Sequence, residues 1–393
     1  MEKPFLLSFK NVVDYLVIQK LWQLEEQYSH EIKSKSCKNF NLLVSFSGDR
    51  HFLVKQECHD KEGKTNGEFL HEWRFQQLLQ TFPELIHIRP LVAEAIHFDP
   101  ICSIIVFNYY NDYCDLRDFY TQEHIFPTEI AASIGASLAV VHRSTIDCQQ
   151  YKDFFCQSCQ DFDKPPNLLR GLERLTPKVF GRVCIDGLKF FELYQRYESL
   201  GQTIAELSTA FQACCLTHDD LKLDNILLYA HWQQASSTAE PLTNSIVRLI
   251  DWERCSWGDP AYDLGTIVAN YLKIWLSSLV ITTDLDVETA LHLATTPFDV
   301  IHPSIVALTK AYLARFPEIV ERRPDFYRRV VQFTGFALIK KIQLKLHHQE
   351  PFDNIAICML QVAKTLLCEP EQSNQIVFGS TVSELTSLSR VPA

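Results

Sequence analysis

The period of the apolar positions changes along this chain, and that change divides it. Near the N-terminus Val12, Val13, Leu16, Ile18, Leu21 and Leu24 make a helical stripe. From Glu31 the texture turns to alternation, and two β-rich runs meet at Gly48 and Asp49, a composition that predicts a hairpin turn. Within FLVKQ the alternation sets Phe52 and Val54 on one face and Leu53 and Lys55 on the other. Residues 66–80 read as a helix with Phe75, Leu78, Leu79 and Phe82 on its packed side, and strands are expected over 91–98 and 101–110. From Asp115 onward helical spacing takes over, as in the run Ile130, Ile134, Leu138, Val141 and His142, where His142 reads as a packed core histidine.

Later segments repeat this contrast. Residues 188–211 supply one or two helices, and two short strands, 226–229 and 246–250, flank a long polar connection expected to leave the base of their hairpin intact. Leu264, Ile267, Val268, Tyr271, Leu272 and Trp275 predict a buried helix. It starts behind Gly258, Asp259 and Pro260, which read as a turn, an N-cap and a first-position proline. Residues 287–368 are helical by pattern, with FYRRVVQFTGFALIKKIQLKL the clearest amphipathic run, and the Ser/Thr-rich segment 371–393 is expected to be a flexible tail. The class is α+β, with a strand-rich N-lobe over 1–109 and a mostly helical C-lobe over 110–370.

The candidate chemistry lies around the two short strands. CLTHDDLKLDNI carries His218, Asp220 and Asn225 as HxDxxxxN, in which a carboxylate and a carboxamide on one tight loop can serve a metal-bound phosphate. In RLIDWE a short buried strand delivers Asp251 to a loop, where its carboxylate can bind Mg²⁺. Lys55, on a mostly buried strand, needs an anion. Glu72 shares the inward face of its helix with Phe75 and Leu79 and is the favoured partner, with Glu68 one turn earlier as the alternative.

HDDLKLDNILL followed by LIDWERCSWGDPAYDLG resembles the catalytic and metal-binding loops of the aminoglycoside phosphotransferase family, and EIAASIGASLAVVHRS resembles its LGxxLAxLH helix. That resemblance implies a two-lobed protein-kinase-like fold that transfers the γ-phosphate of ATP, with Mg²⁺, to a hydroxyl. It implies Asp220 as the group that accepts or orients the acceptor hydroxyl, His218 as the residue that orients the loop, and Lys222 on the γ-phosphate. It further implies Asn225 and Asp251 as Mg²⁺ ligands, Lys55 on the α- and β-phosphates, and the backbone of Phe107, Asn108 and Tyr109 on the adenine edge. The phosphate-covering loop would be 34–41, and it contains no glycine, a departure that keeps a pseudokinase or nucleotide-binding regulator among the readings. In its place Ser34, Ser36, Lys38 and Asn39 offer donors. The family implies a small hydroxylated acceptor. DLKLDN with DWE, WGDPAYDLG and YLKIWLSSL also resembles the kinases of class V lanthipeptide and related pathways, which implies a Ser or Thr hydroxyl of a precursor peptide instead.

Composition narrows the partners. The chain has 393 residues, 47% of them hydrophobic, enough for a sizeable core. A net charge of −11 with no basic patch in the sequence argues against nucleic acid or an anionic membrane as main partner and leaves room for a cationic substrate. Thirteen cysteines without disulfide-scaffold spacing, and an N-terminus without a signal-peptide pattern, lead to the expectation of a cytoplasmic protein. The CxxC at Cys156 and Cys159 has no second ligand pair, and a metal phosphohydrolase built on His218, Asp219 and Asp220 would need further metal-spaced histidines.

Overall fold

The computed structural model describes residues 5–22, 30–35, 39–46, 50–156, 172, 183–236, 245–282 and 285–379. In chain order the strands are β1 (His30–Lys35), β2 (Phe40–Phe46), β3 (His51–Gln56), β4 (Ala95–Asp99), β5 (Ile104–Asn108), β6 (Tyr113–Asp115), β7 (Cys215–Thr217), β8 (Ile226–Tyr229), β9 (Val247–Leu249) and β10 (Ser256–Gly258). The helices are α1 (Val12–Ile18), α2 (Glu68–Thr81), α3 (Leu116–Glu123), α4 (Thr128–Thr145), α5 (Gln149–Cys156), α6 (Ile185–Arg196), α7 (Glu198–Thr209) and α8 (Trp232–Ser236). They continue as α9 (Pro260–Ser277), α10 (Val287–His292), α11 (Phe298–Arg315), α12 (Glu318–Arg322), α13 (Phe326–His347), α14 (Asn354–Cys368) and α15 (Pro370–Phe378). Packing sorts them into two units: Met1–Leu116 with Asn225–Cys255, and Arg117–Asp224 with Ser256–Ala393.

The first unit is built on a five-stranded sheet in the order β1-β2-β3-β5-β4, with antiparallel neighbours. Its two faces follow the alternation in the sequence. Phe52 and Val54 of β3, with Ile104 and Val106 of β5, pack against Val12, Val13 and Leu16 of α1. Ile105 and Phe107 face the other way, where Phe69 of α2 and the flank of Leu53 cover them. This second face is the one Lys55 shares. A smaller antiparallel sheet, β6-β8-β9, completes the unit, and the β8–β9 ladder pairs Ile226 with Leu249, so the base of that hairpin is intact. Within 34–41, Ser34 belongs to β1 and Phe40 and Asn41 belong to β2, so the β1–β2 connection is shorter than the expected loop. Backbone pairing explains this, since Ser34 stands opposite Leu42 and Lys35 opposite Asn41. Ser36 and Lys38, like Gly48 and Asp49, lie outside the described residues.

The second unit is helical, apart from the two-stranded β7–β10 pair. Helix α9 starts as expected, with Asp259 as an N-cap whose carboxylate accepts from the Ala261 N–H at 3.0 Å and Pro260 at the first position. Gly258 is the exception: it lies in β10 opposite Cys215, because the ladder with β7 runs up to the cap. A Cβ on Gly265 would stand 2.7 Å from the Val330 carbonyl oxygen, so glycine there lets α9 lie close on α13. The α13 run is buried on most of its faces, not amphipathic at a surface, because α9, α14 and α15 all pack against it. The first part of the expected tail is helical instead. Pro370–Phe378 is helix α15, with Ser373, Asn374, Val377 and Phe378 buried, and 380–393 lie outside the described residues. His142 is fully buried, as its place in the helical stripe implied. Cys159 lies outside the described residues, and every cysteine among the described residues is a free thiol. No helix among the described residues is long and apolar enough to cross a membrane.

Candidate active site

In the first unit, β3 carries Lys55 in a position 8% exposed to solvent, with its ammonium 5.1 Å from the centre of the Phe107 ring. A buried cation needs a counter-charge, and Asp251 supplies it: the Lys55 ammonium is ion-paired to the Asp251 carboxylate. Burial alone pulls the Lys55 pKa down, but the charges of Asp251 and Glu72 outweigh it and raise the pKa above the ordinary lysine value. Asp251 closes β9 in a left-handed backbone conformation, φ 61°, which few non-glycine residues adopt. This turns the chain into the short 3₁₀ turn Trp252–Arg254, where Trp252 stacks on Phe75 of α2 at 4.2 Å.

Glu72 is the inward-facing carboxylate of α2, 1% exposed, whereas Glu68 is only half-buried. Glu72 is not, however, the direct ion-pair partner of Lys55. Its Oε1 accepts from the Trp252 N–H at 3.2 Å and its Oε2 has no hydrogen-bond partner, while Asp251 takes the ammonium. Burial pushes the Glu72 carboxyl up to about 8, and the Lys55 charge only partly offsets this. Asn225 comes beside Asp251 through the β8–β9 ladder, since its backbone carbonyl accepts from the Ile250 N–H at 3.0 Å. It is 1% exposed. Among Phe107, Asn108 and Tyr109, the Asn108 N–H donates to the Glu94 carbonyl at 3.0 Å and the Tyr109 N–H to the His51 carbonyl at 2.9 Å. Sheet pairing therefore takes the Asn108 and Tyr109 donors.

In the second unit, the loop 218–224 follows β7 and hangs from one buried carboxylate. Asp263 of α9 accepts from the backbone N–H of His218 at 2.7 Å and of Asp219 at 3.0 Å. Its Oδ2 also lies 3.2 Å from His142 Nε2, and His142 Nδ1 lies 2.9 Å from the Tyr312 hydroxyl. Burial works to raise the Asp263 pKa, but the bonds and charge of His142 and His218 prevail and hold it below the usual carboxylate range. Asp219 sits at φ 61° with its carboxylate buried and bonded to the Ser256 hydroxyl, and burial together with Asp263 pushes it up to about 7. Asp220 differs: its side chain is 27% exposed, its N–H donates to His218 Nδ1 at 3.4 Å, and Lys222 Nζ lies 2.9 Å from its Oδ2. Of the paired aspartates, Asp220 offers its carboxylate outward and Asp219 is consumed by the loop.

The first unit thus joins Lys55, Glu72, Phe107, Asn225 and Asp251, and the second joins His218, Asp220 and Lys222. Sequence reasoning passed over Asp263, although the signal that marked Glu72 was present there too, a carboxylate on the packed face of an apolar helix. Among the described residues no three His, Cys, Asp or Glu side chains gather into a metal site. The donors present are one partly open carboxylate and one carboxamide, and this suits Mg²⁺, which binds through one or two carboxylates together with substrate phosphates.

The sequence model of the phosphotransferase enzyme family matches residues 109–288, a span that holds both loops. Among solved structures, an ethanolamine kinase of Plasmodium vivax is similar at 12% identity and a TM-score of 0.53, over 95% of this chain and 90% of that one. A choline/ethanolamine kinase family protein of Mesorhizobium loti aligns at 14% identity and TM-score 0.47, over 96% and 98%. The streptomycin–ATP–APH(2")-IIa ternary complex aligns at 15% and 0.45, over 91% and 99%. The curated proteins contain no match. Residues 109–288 therefore resemble the phosphotransferase enzyme family, and the chain has an α+β, protein-kinase-like fold.

Proposed function

We propose that this protein moves the γ-phosphate of ATP, with Mg²⁺, to a hydroxyl of a small molecule. The observation that carries this reading is the ion pair between Lys55 and Asp251, a cation suited to phosphate and a carboxylate suited to a metal ion brought together from distant parts of the sequence. Lys55 holds the α- and β-phosphates, and the Asp251 carboxylate keeps its ammonium protonated. Asn225 and Asp251 would hold Mg²⁺, which would supply positive charge to offset that of the phosphate groups. Adenine lies along the end of β5, beside the backbone of Phe107, Asn108 and Tyr109.

Asp220 orients the acceptor hydroxyl and takes its proton. The acceptor oxygen forms a bond to the γ-phosphorus as the bond from that phosphorus to the β–γ bridging oxygen breaks, and ADP leaves with the electron pair. Lys222 neutralises charge on the transferring group, and His218 and Asp263 keep the loop in shape. Calorimetric titration with ATP, with and without Mg²⁺, tests the nucleotide half: binding that strengthens with Mg²⁺ and is lost in Lys55→Met is expected. Equal binding in that variant overturns the assignment.

A further inference from the structure

Beside the proposed base, the second unit gathers lysines from two helices. Lys341 of α13 donates to Asn270 Oδ1 at 2.7 Å, and Asn270 Nδ2 donates in turn to the Leu221 carbonyl at 3.2 Å. That carbonyl lies between Asp220 and Lys222, so the Lys341 ammonium is tied to the catalytic loop through one neutral side chain. Lys273 follows Asn270 at helical spacing on the same face of α9. It is half-buried, and no carboxylate of the described residues forms an ion pair with it.

The neighbouring charges are already matched in pairs. Lys222 is held by Asp220 at 2.9 Å, Arg117 by Asp224 at 2.7 Å and Lys345 by Asp353 at 2.7 Å. Exposed Glu350 is the one further carboxylate whose charge acts on Lys273. Lys273 and Lys341 remain as two amines without a carboxylate partner among the described residues, and protonation of one opposes protonation of the other. Burial and the Lys273 charge push Lys341 down to about 7, and burial with Arg117 lowers Lys273 as well. In a chain of net charge −11, such a local cationic excess is not a product of general basicity. A cationic acceptor brought to Asp220 would add a third positive charge, whereas an anion would relieve the repulsion and gain charge-assisted hydrogen bonds.

We infer that the acceptor is an alcohol bearing an anionic group, a phosphate or a carboxylate, which Lys273 and Lys341 hold while Asp220 receives the hydroxyl. The inference rests on the phosphotransferase reading and replaces the cationic substrate that the overall charge had left open. Lys273 and Lys341 are specificity determinants, and Asn270 positions the second of them.

Two experiments on the full chain test it. Turnover with MgATP is compared across ethanolamine and choline, glycerol and ribose, and glycerate, glycerol 3-phosphate and ribose 5-phosphate; the last three separate carboxylate from phosphate. Anionic acceptors are expected to be preferred, and Lys341→Met and Lys273→Met to raise their KM by about tenfold or more with a smaller effect on kcat. Preference for the cationic or neutral acceptors, or an unchanged KM, overturns the inference and leaves the phosphotransferase reading standing. Amine acetylation mapped by mass spectrometry supplies the second measurement. Inorganic phosphate should shield Lys341 and Lys273 while choline does not, and equal labelling under both conditions overturns the inference even if no acceptor on the panel turns over. In the same samples MgATP should shield Lys55, and failure there counts against the phosphotransferase reading itself.

Discussion

Lys55 and Asp251 stand far apart in the sequence, on β3 and just past β9, and meet as an ion pair. Removing one partner of a buried pair leaves the other charge uncompensated, at a cost of about 3–5 kcal/mol for full burial. The Asp251 side chain is 33% exposed, and water reduces that cost. Lys55→Met should therefore destabilise the fold by about 1–3 kcal/mol, and Lys55→Met with Asp251→Asn by less than the sum of the two single changes. Chemical denaturation of the four proteins in a double-mutant cycle measures this coupling. Strict additivity would contradict the pairing.

Asp263 holds the catalytic loop by two backbone N–H groups and His142 by a third contact. Asp263→Ala strands those donors in a buried place, so a stability loss of about 3 kcal/mol or more is expected. Asp263→Asn keeps one carbonyl oxygen for the backbone but loses the charge, and it should fold with kcat reduced by about tenfold or more through a displaced Asp220. Thermal melts and steady-state kinetics on both variants check this. A fully active Asp263→Ala protein would show that the loop does not depend on the clamp.

Much of this arrangement was legible in the residues. Alternation in FLVKQ placed Lys55 on the α2 side of β3, and the spacing of Glu72 with Phe75 and Leu79 turned that carboxylate inward. Gly258, Asp259 and Pro260 marked the start of α9. What escaped depends on packing between segments distant in sequence. The choice of Asp251 over Glu72 as the ion-pair partner of Lys55 is set by how the 3₁₀ turn after β9 seats Trp252 on α2. Lys341 and Lys273 carry no signal of their own in the sequence, since only the packing of α13 on α9 brings them together. Helix α15 was hidden by a Ser-rich composition, and burial of Val377 and Phe378 decides it.

Lys222 is ion-paired to Asp220 and 43% exposed, and in the proposed reaction it neutralises the transferring group without binding nucleotide. Lys222→Ala should lower kcat by roughly ten- to a thousandfold, for one electrostatic contact of about 1.5–4 kcal/mol, with little change in the KM for ATP. A kcat within about twofold of wild type would show Lys222 to be a solvated loop residue.

Lys341 gives a pH signature with a defined sign. Its pKa falls from 10.5 to about 7 on folding, so between those values the unfolded chain binds a proton that the folded chain does not. Stability from this group therefore rises with pH above about 7, and the full penalty applies below it. Lys341→Met should raise stability at neutral pH by about 1–4 kcal/mol, with the fall from 10.5 to about 7 setting the upper end and the lost bond to Asn270 reducing it, and flatten the rise above pH 7. Urea melts across that range decide it. A destabilised variant with an unchanged slope would place the Lys341 charge in water.

The site as a whole is tested most directly by ADP release from MgATP with the acceptor panel, in wild type, Asp251→Asn and Asp220→Asn, each shown to be folded. Loss of one group that offsets transition-state charge costs roughly 3 kcal/mol or more. Wild-type turnover that falls about a hundredfold or more in each variant is the expected result. Turnover undiminished in both variants would contradict a phosphotransferase built on these carboxylates.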